Sequence, residues 1–320
     1  MRVLLGCVNS TVSLIGYDVA AKVPFWYCPA NVLRVCGITW HQGALWAATD
    51  ALVQRLDPSG IQRVRLPGPH HNYAHSVKPV GEDSLAVADT GNSRILLLHG
   101  EKCVASLSPL EGWEQELPED AIHLNDFISW RDGLLASAFN YQPFRQWKRS
   151  SFNWKSEGWG CLYHIRRHEG KTLARIVASG LNCPHSLSAW QGDVYCCSSA
   201  EGALFRFSPD EYGRLQETMR WHITDSHFLR GCLRLEDGWL LGGSSRRQEE
   251  GQGMTLYYLT DTGQVDTLPV GGPGEIYDII PWDAALMPGI CQTLLQAPEL
   301  EAEGIFPPRC ELPVEYGTEA

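Results

Sequence analysis

The chain predicts an all-β fold, a six-bladed β-propeller closed by shared N- and C-terminal strands, and three features of its 320 residues lead there. A short apolar stretch, a turn and a second apolar stretch recur six times, opening at Cys36, His75, Asn125, His185, Arg230 and Tyr277. The intervals are uneven, roughly 40 to 60 residues, which suits blades of four strands. Gly, Asn and Asp mark the reversals, as tight turns require, and no long segment carries helical periodicity. The two ends also complement each other. The last unit, Tyr277-Asp-Ile-Ile-Pro-Trp, is an inner strand without successors, and the chain begins with successors lacking an inner strand.

Taken in order, Val3-Leu-Leu-Gly-Cys-Val and Thr11-Val-Ser-Leu-Ile-Gly-Tyr-Asp read as the second and third strands of the closing blade. The unit at His75 shows the pattern fully: an inner strand to Val80, a return at Ser84-Leu-Ala-Val-Ala, a third strand from Ser93 and a fourth from Lys102. The turn Asp89-Thr-Gly-Asn-Ser is a structural signature. The unit at His185 repeats this through Asp193-Val-Tyr-Cys-Cys and Ala203-Leu-Phe-Arg-Phe. One domain is therefore expected over residues 1–286, its last blade completed by residues 1–20. Residues 287–320 are Pro-rich and lack alternation, so an extended C-terminal tail is expected.

A net charge of −11 argues against a general nucleic-acid or anionic-membrane surface. The N-terminal apolar run is too short for a signal peptide, and no stretch reaches the roughly 20 apolar residues of a membrane span. A cytoplasmic protein is expected. The eleven cysteines are scattered without a C-x-x-C pair, which suits reduced thiols, several of them packed in strands.

In a ring, the starts of the inner strands share one mouth. That places His75, Asn125, His185, Arg230, Glu275 and Tyr277 together, with His123 two residues before Asn125, an offset that could turn its ring out of the channel. A long insertion at 140–159 is expected over the same face, its Trp147 and Trp154 interleaved with Arg and Lys, as a cover for a planar or anionic ligand. His75, His123 and His185 are candidate ligands for a divalent transition metal such as Fe, Mn, Zn or Ni, with Asn125, Glu275 or water completing the shell. Without metal, His75 and His185 are candidate acids or bases. The competing reading has each histidine filling the mouth and donating to a carbonyl. Arg230 is a candidate anion anchor, or else the partner of a neighbouring carboxylate such as Asp126 or Asp278. Asn125, Trp147, Trp154, Glu275 and Tyr277 are the expected substrate contacts. Asp126 and Asp278 are expected to bond one blade to the next. The other histidines weighed, His41, His70, His71, His164, His168 and His222, are expected at the surface. No phosphate-cradling loop occurs, so no nucleotide cofactor is expected.

Gly158-Trp-Gly-Cys-Leu, Pro184-His185-Ser186, Phe228-Leu-Arg230-Gly231 and Gly274-Glu275-Ile-Tyr277-Asp278, with Asp89-Thr-Gly-Asn, resemble an uncharacterised bacterial six-bladed β-propeller family. The turns are also distantly similar to NHL-repeat and gluconolactonase-like propellers, though histidines stand where the latter carry an acidic and Asn metal set. The resemblance implies a six-bladed ring and carries no reaction with it.

The residues thus point to a propeller enzyme of a biosynthetic or modification pathway, acting on a small polar or anionic molecule. Lyase, isomerase, hydrolase and oxygenase chemistry all remain open. The alternative is a non-catalytic propeller that binds a protein or peptide across the same mouth.

Overall fold

The computed structural model describes residues 1–113, 116–141, 158–245 and 253–297. These residues form six four-stranded antiparallel sheets, one per blade. The inner strands are Ile38–His41, Ala74–Pro79, Leu124–Trp130, Pro184–Trp190, His227–Arg234 and Glu275–Pro281, for blades 1 to 6 in turn. Blade 6 is built from both ends of the chain, in the order Glu275–Pro281, Arg2–Val8, Val12–Asp18, Val23–Pro29. Pairings such as Leu5 with Ile279 therefore close the ring, with the N-terminal strand inside the sheet and the C-terminal strand as its innermost one.

Burial follows position in the blade. Second strands such as Ala44–Thr49 and Asp193–Ser198 are buried along their whole length. Both of their faces meet a neighbouring sheet, so they read as continuous apolar runs. Outer strands such as Val23–Pro29 alternate toward solvent.

Side-chain alternation then assigns each residue to one junction or the next. Ala44, Trp46 and Ala48 pack with Ala74, Val77 and Val87 between blades 1 and 2. Leu45 and Ala47, from the same strand, pack with Leu4 and Leu14 of blade 6. Equivalent clusters lie at the four remaining junctions. At the inner strands the fit is tight: a Cβ on Gly37 would lie 2.6 Å from Ser76 Cα, so blade 1 carries glycine there.

In place of an extended segment from Met287, residues Met287–Gln296 form an α-helix. Met287, Ile290 and Leu294 are its buried residues, spaced i, i+3, i+7, and they join the cluster between blades 6 and 1. Pro288 stands in the first turn, where its fixed φ costs nothing. Thr293 Oγ1 donates to Asp57 O at 2.9 Å, and a Cβ on Gly289 would meet Pro58 Cγ at 2.6 Å. The apolar spacing was present but short, and the prolines around it obscured the helix. No described helix is long and apolar enough to cross a membrane.

Candidate functional site

Five of the six inner strands break register at one level. The shifts fall between Ala74 and Ser76, Leu124 and Asp126, His185 and Leu187, and Arg230 and Cys232, and in blade 6 opposite Gly6 and Cys7. Each leaves one residue outside the pairing: His75, Asn125, Ser186, Gly231 and Tyr277. A β-bulge bends its strand and re-aims the side chains beside it. Two residues before the bulge or its neighbour, Tyr73, His123 and Cys183 adopt positive φ of 46°, 50° and 54°. Non-glycine residues hold such a backbone only where the surroundings impose it.

The result is a cluster of rings. His75 lies 5.1 Å from His123 and 5.5 Å from Tyr277, ring to ring, and His185 lies 6.1 Å from Tyr277. Phe139 bridges the other side, 4.4 Å from His123 and 4.9 Å from His185. The offset of His123 from Asn125 therefore leaves it in the mouth. A narrow cavity of about 20 Å³ opens among His75, Asn125, His185, Tyr277 and the serines and aspartates beside them. It has room for about one water, or the reacting end of a larger molecule.

Neighbouring acceptors set the imidazole tautomers. Asn125 Nδ2 donates to His123 O at 3.2 Å, which turns Asn125 Oδ1 toward His75 Nδ1 at 2.8 Å. His75 Nδ1 therefore carries the hydrogen. Ser199 Oγ donates to Leu229 O at 2.6 Å, so at 2.9 Å from His185 Nδ1 it accepts, as does Cys183 O at 3.1 Å. His185 Nδ1 likewise carries the hydrogen, and its Nε2 is a buried lone pair without a partner among the described residues. Asp120 engages His123 Nδ1 at 2.9 Å. Burial lowers the pKa of His75 to about 3, helped by the His123 charge. Burial, then the Arg230 cation, push His185 well below the usual imidazole value. Both rings are neutral at pH 7.

Arg230 pairs with Glu275 of the next blade, through Nη1 and Oε2, rather than with Asp126 or Asp278. Asn9 Nδ2 donates to the other Glu275 oxygen at 2.6 Å. The guanidinium carbon lies 4.6 Å from the centre of the Tyr277 ring, and Arg230 Nε is a buried donor without a partner among the described residues. The Glu275 carboxylate is thus committed to Arg230 and Asn9.

Just below, polar residues stitch the blades together. Asp126 accepts from Ser76 Oγ at 2.7 Å, Lys78 Nζ at 2.7 Å and Leu187 N at 2.6 Å, which spans blades 2, 3 and 4. Asp278 accepts from Ile38 N at 3.0 Å across the closing junction, and Ser186 Oγ accepts from Gly231 N at 2.7 Å.

Trp147 and Trp154 lie outside the described residues. His164, expected at the surface, is buried with its ring 5.0 Å from Trp130, because its strand turns that face toward the junction of blades 3 and 4. Sequence reasoning missed Asp120, Phe139, Ser199 and the buried His227, whose Nδ1 lies 2.8 Å from Tyr257 Oη. The spacing Asp120-x-x-His123 carried a signal; the others are loop or strand-end residues that only the ring brings together. Among the described residues no three His, Cys, Asp or Glu side chains are grouped closely enough to hold a metal ion.

No family model matches the chain, and no curated protein does. Solved structures do match. A Bacteroides caccae protein of unknown function superposes with a TM-score of 0.61 at 12% identity, covering 87% of this chain and 97% of that one. A luciferin-regenerating enzyme gives 0.54 at 12% identity, covering 78% and 81%. A catalytically inactive His→Ala variant of virginiamycin B lyase from Staphylococcus aureus, with quinupristin, gives 0.52 at 10% identity, covering 84% and 85%. At such identities the likeness carries the architecture alone: the chain is a six-bladed β-propeller.

Proposed function

We propose that the histidine-lined mouth is the reaction site of a small-molecule enzyme, a lyase or isomerase that moves a proton on a polar, anionic substrate. His185 Nε2 takes the proton. Arg230 Nε donates to the substrate oxygen that gains charge, and His75 and Tyr277 form the facing wall. The carrying observation is His185 Nε2 itself, a buried lone pair on a ring whose other nitrogen is held by two acceptors. Leaving such an atom unpaired costs about 1–3 kcal/mol, and groups of this kind mark catalytic positions or ligand contacts. The virginiamycin B lyase whose His→Ala variant is inactive supports histidine-dependent chemistry on this architecture.

The same tautomers would present Nε2 to a metal, although among the described residues no three His, Cys, Asp or Glu side chains are grouped around it. The test incubates purified protein with a bacterial metabolite extract and follows masses and chromatographic retention over time, so that an isomer of unchanged mass is also seen. A polar acid consumed by wild type and spared by His185→Ala supports the reading. No change in any mass or retention time, with or without added Mn, Fe, Zn or Ni, would favour the peptide-binding scaffold. Stoichiometric metal in the purified protein, lost on joint His75→Ala and His185→Ala substitution, would replace proton transfer by metal chemistry.

A further inference from the structure

A second cavity, of about 320 Å³, opens where the inner strands end, at the opposite pole of the axis from the histidines. Its size is that of a small organic ligand. Ile38, Pro79, Ile128, Cys232, Ile279 and Ile280 make its walls largely apolar, and Lys78 and Asp278 stand at its inner end. Lys78 is committed, donating to Asp126 Oδ2 at 2.7 Å and reaching Leu187 O at 3.4 Å. Asp278 forms no ion pair among the described residues. Its oxygens accept only the backbone N–H groups of Ile38 at 3.0 Å and Ile279 at 2.9 Å. An ionised carboxylate has about four acceptor positions, so two remain. Lys78 gives its direct ion pair to Asp126, which lies outside this cavity, so Asp278, the one carboxylate lining it, faces the aliphatic walls without an ion-pair partner among the described residues.

We infer that this cavity binds a small organic cation, with an ammonium head against Asp278 and a short aliphatic body against Ile38, Ile128, Ile279 and Ile280. An ammonium ion supplies the missing counter-charge and up to three donors, and the isoleucines bury its chain. Two properties of Asp278 support this. It lines both cavities and keeps part of its surface open to them. Burial also raises its pKa to about 6, with Asp126 adding to the rise and Lys78 opposing it, a penalty that an adjacent cation would relieve. The titratable groups around Asp278 are Lys78 of blade 2, Asp126 of blade 3, Cys232 of blade 5, and His75 and His185 on the side of the other mouth. Burial keeps the Cys232 thiol protonated and both imidazoles neutral. On the side of this cavity blade 1 presents Ile38 and Thr39 and blade 4 the Leu187 carbonyl, none of which titrates. The inference does not rest on the chemistry of the histidine mouth.

The probe is n-butylammonium chloride, titrated calorimetrically into the full-length protein at pH 7.5 and constant ionic strength. One saturable site is expected, with n-butanol and butyrate bound at least about tenfold more weakly, because neither supplies a cation. At pH 5 only about one-tenth of Asp278 is ionised, so the affinity should fall about tenfold. Asp278→Asn should abolish binding, and His185→Ala should retain it. Ile128→Trp fills the cavity without touching the carboxylate and should also abolish binding while the circular dichroism spectrum is unchanged. This second variant keeps the test decisive if Asp278→Asn misfolds. Equal affinity for butanol, unchanged affinity in either variant, or no saturable binding by wild type would overturn the inference.

Discussion

The two poles of the axis are made from the same inner strands, yet they differ in chemistry. At the strand starts, bulges interrupt five of six ladders and bring imidazoles, a guanidinium and a phenol together. At the strand ends the ladders are regular and present four isoleucines and a proline, with Thr39, Ser129, Lys78, Cys232 and Asp278 among them. Asp126, Asp278 and Ser186, between the poles, serve as cross-links. A propeller can thus confine its polar chemistry to one pole with a bulge, because one extra residue changes where neighbouring side chains point while the strands outside it stay paired.

This contrast predicts where the molecule is fragile. Arg230→Met should be the most damaging change, lowering unfolding free energy by about 4 kcal/mol, since it leaves Glu275 buried and charged without its cation. Urea denaturation would show this, and the double change Arg230→Met with Glu275→Met should restore most of the loss. Asp126→Ala comes next, at about 3 kcal/mol, because Leu187 N, Ser76 Oγ and Lys78 Nζ lose one acceptor together. At the apolar pole, Ile128→Val removes one methylene from a cavity wall and should cost only about 0.5–1 kcal/mol. A loss there as large as that for Arg230→Met would erase the distinction between the poles.

Acid sharpens the comparison. An unfolded imidazole protonates near pH 6.5, whereas folded His75 resists to about 3 and His185 to well below its usual value. Their stabilising contribution is whole above pH 6.5 and falls on acidification, by roughly 1.4 kcal/mol per pH unit for each ring until the folded ring protonates. Asp278 has the opposite sign. Its folded pKa of about 6 exceeds the ordinary 3.8, so the native state takes up the proton first and regains stability between those values. Stability measured from pH 7 to pH 4 should therefore fall more steeply in Asp278→Asn than in wild type, and less steeply in His185→Gln. The smallest effect is spectroscopic: nitrogen shifts of His75 and His185 at pH 6 should report neutral rings with the hydrogen on Nδ1.

Much of the ring was legible in the residues. Six inner-strand starts, from Cys36 to Tyr277, lie within a few residues of the observed strands, because alternation and turn chemistry are local properties that each blade must satisfy. The complementary ends announced the shared blade for the same reason. The mouth was legible only as a neighbourhood. That Arg230 answers Glu275 rather than Asp126 or Asp278, and that Asn125 and Ser199 set the hydrogens of His75 and His185, depends on distances across blades that no local pattern encodes.

By itself, then, the sequence determined the blade count, the closing blade and which residues stand at the strand starts, since these follow from periodicity and from turn residues. Tertiary structure decided the partner of each charge, the tautomer of each imidazole and the helix after Trp282. Those depend on which surfaces the closed ring brings within hydrogen-bond reach and on how far it removes them from water, and both are properties of the whole assembly of blades.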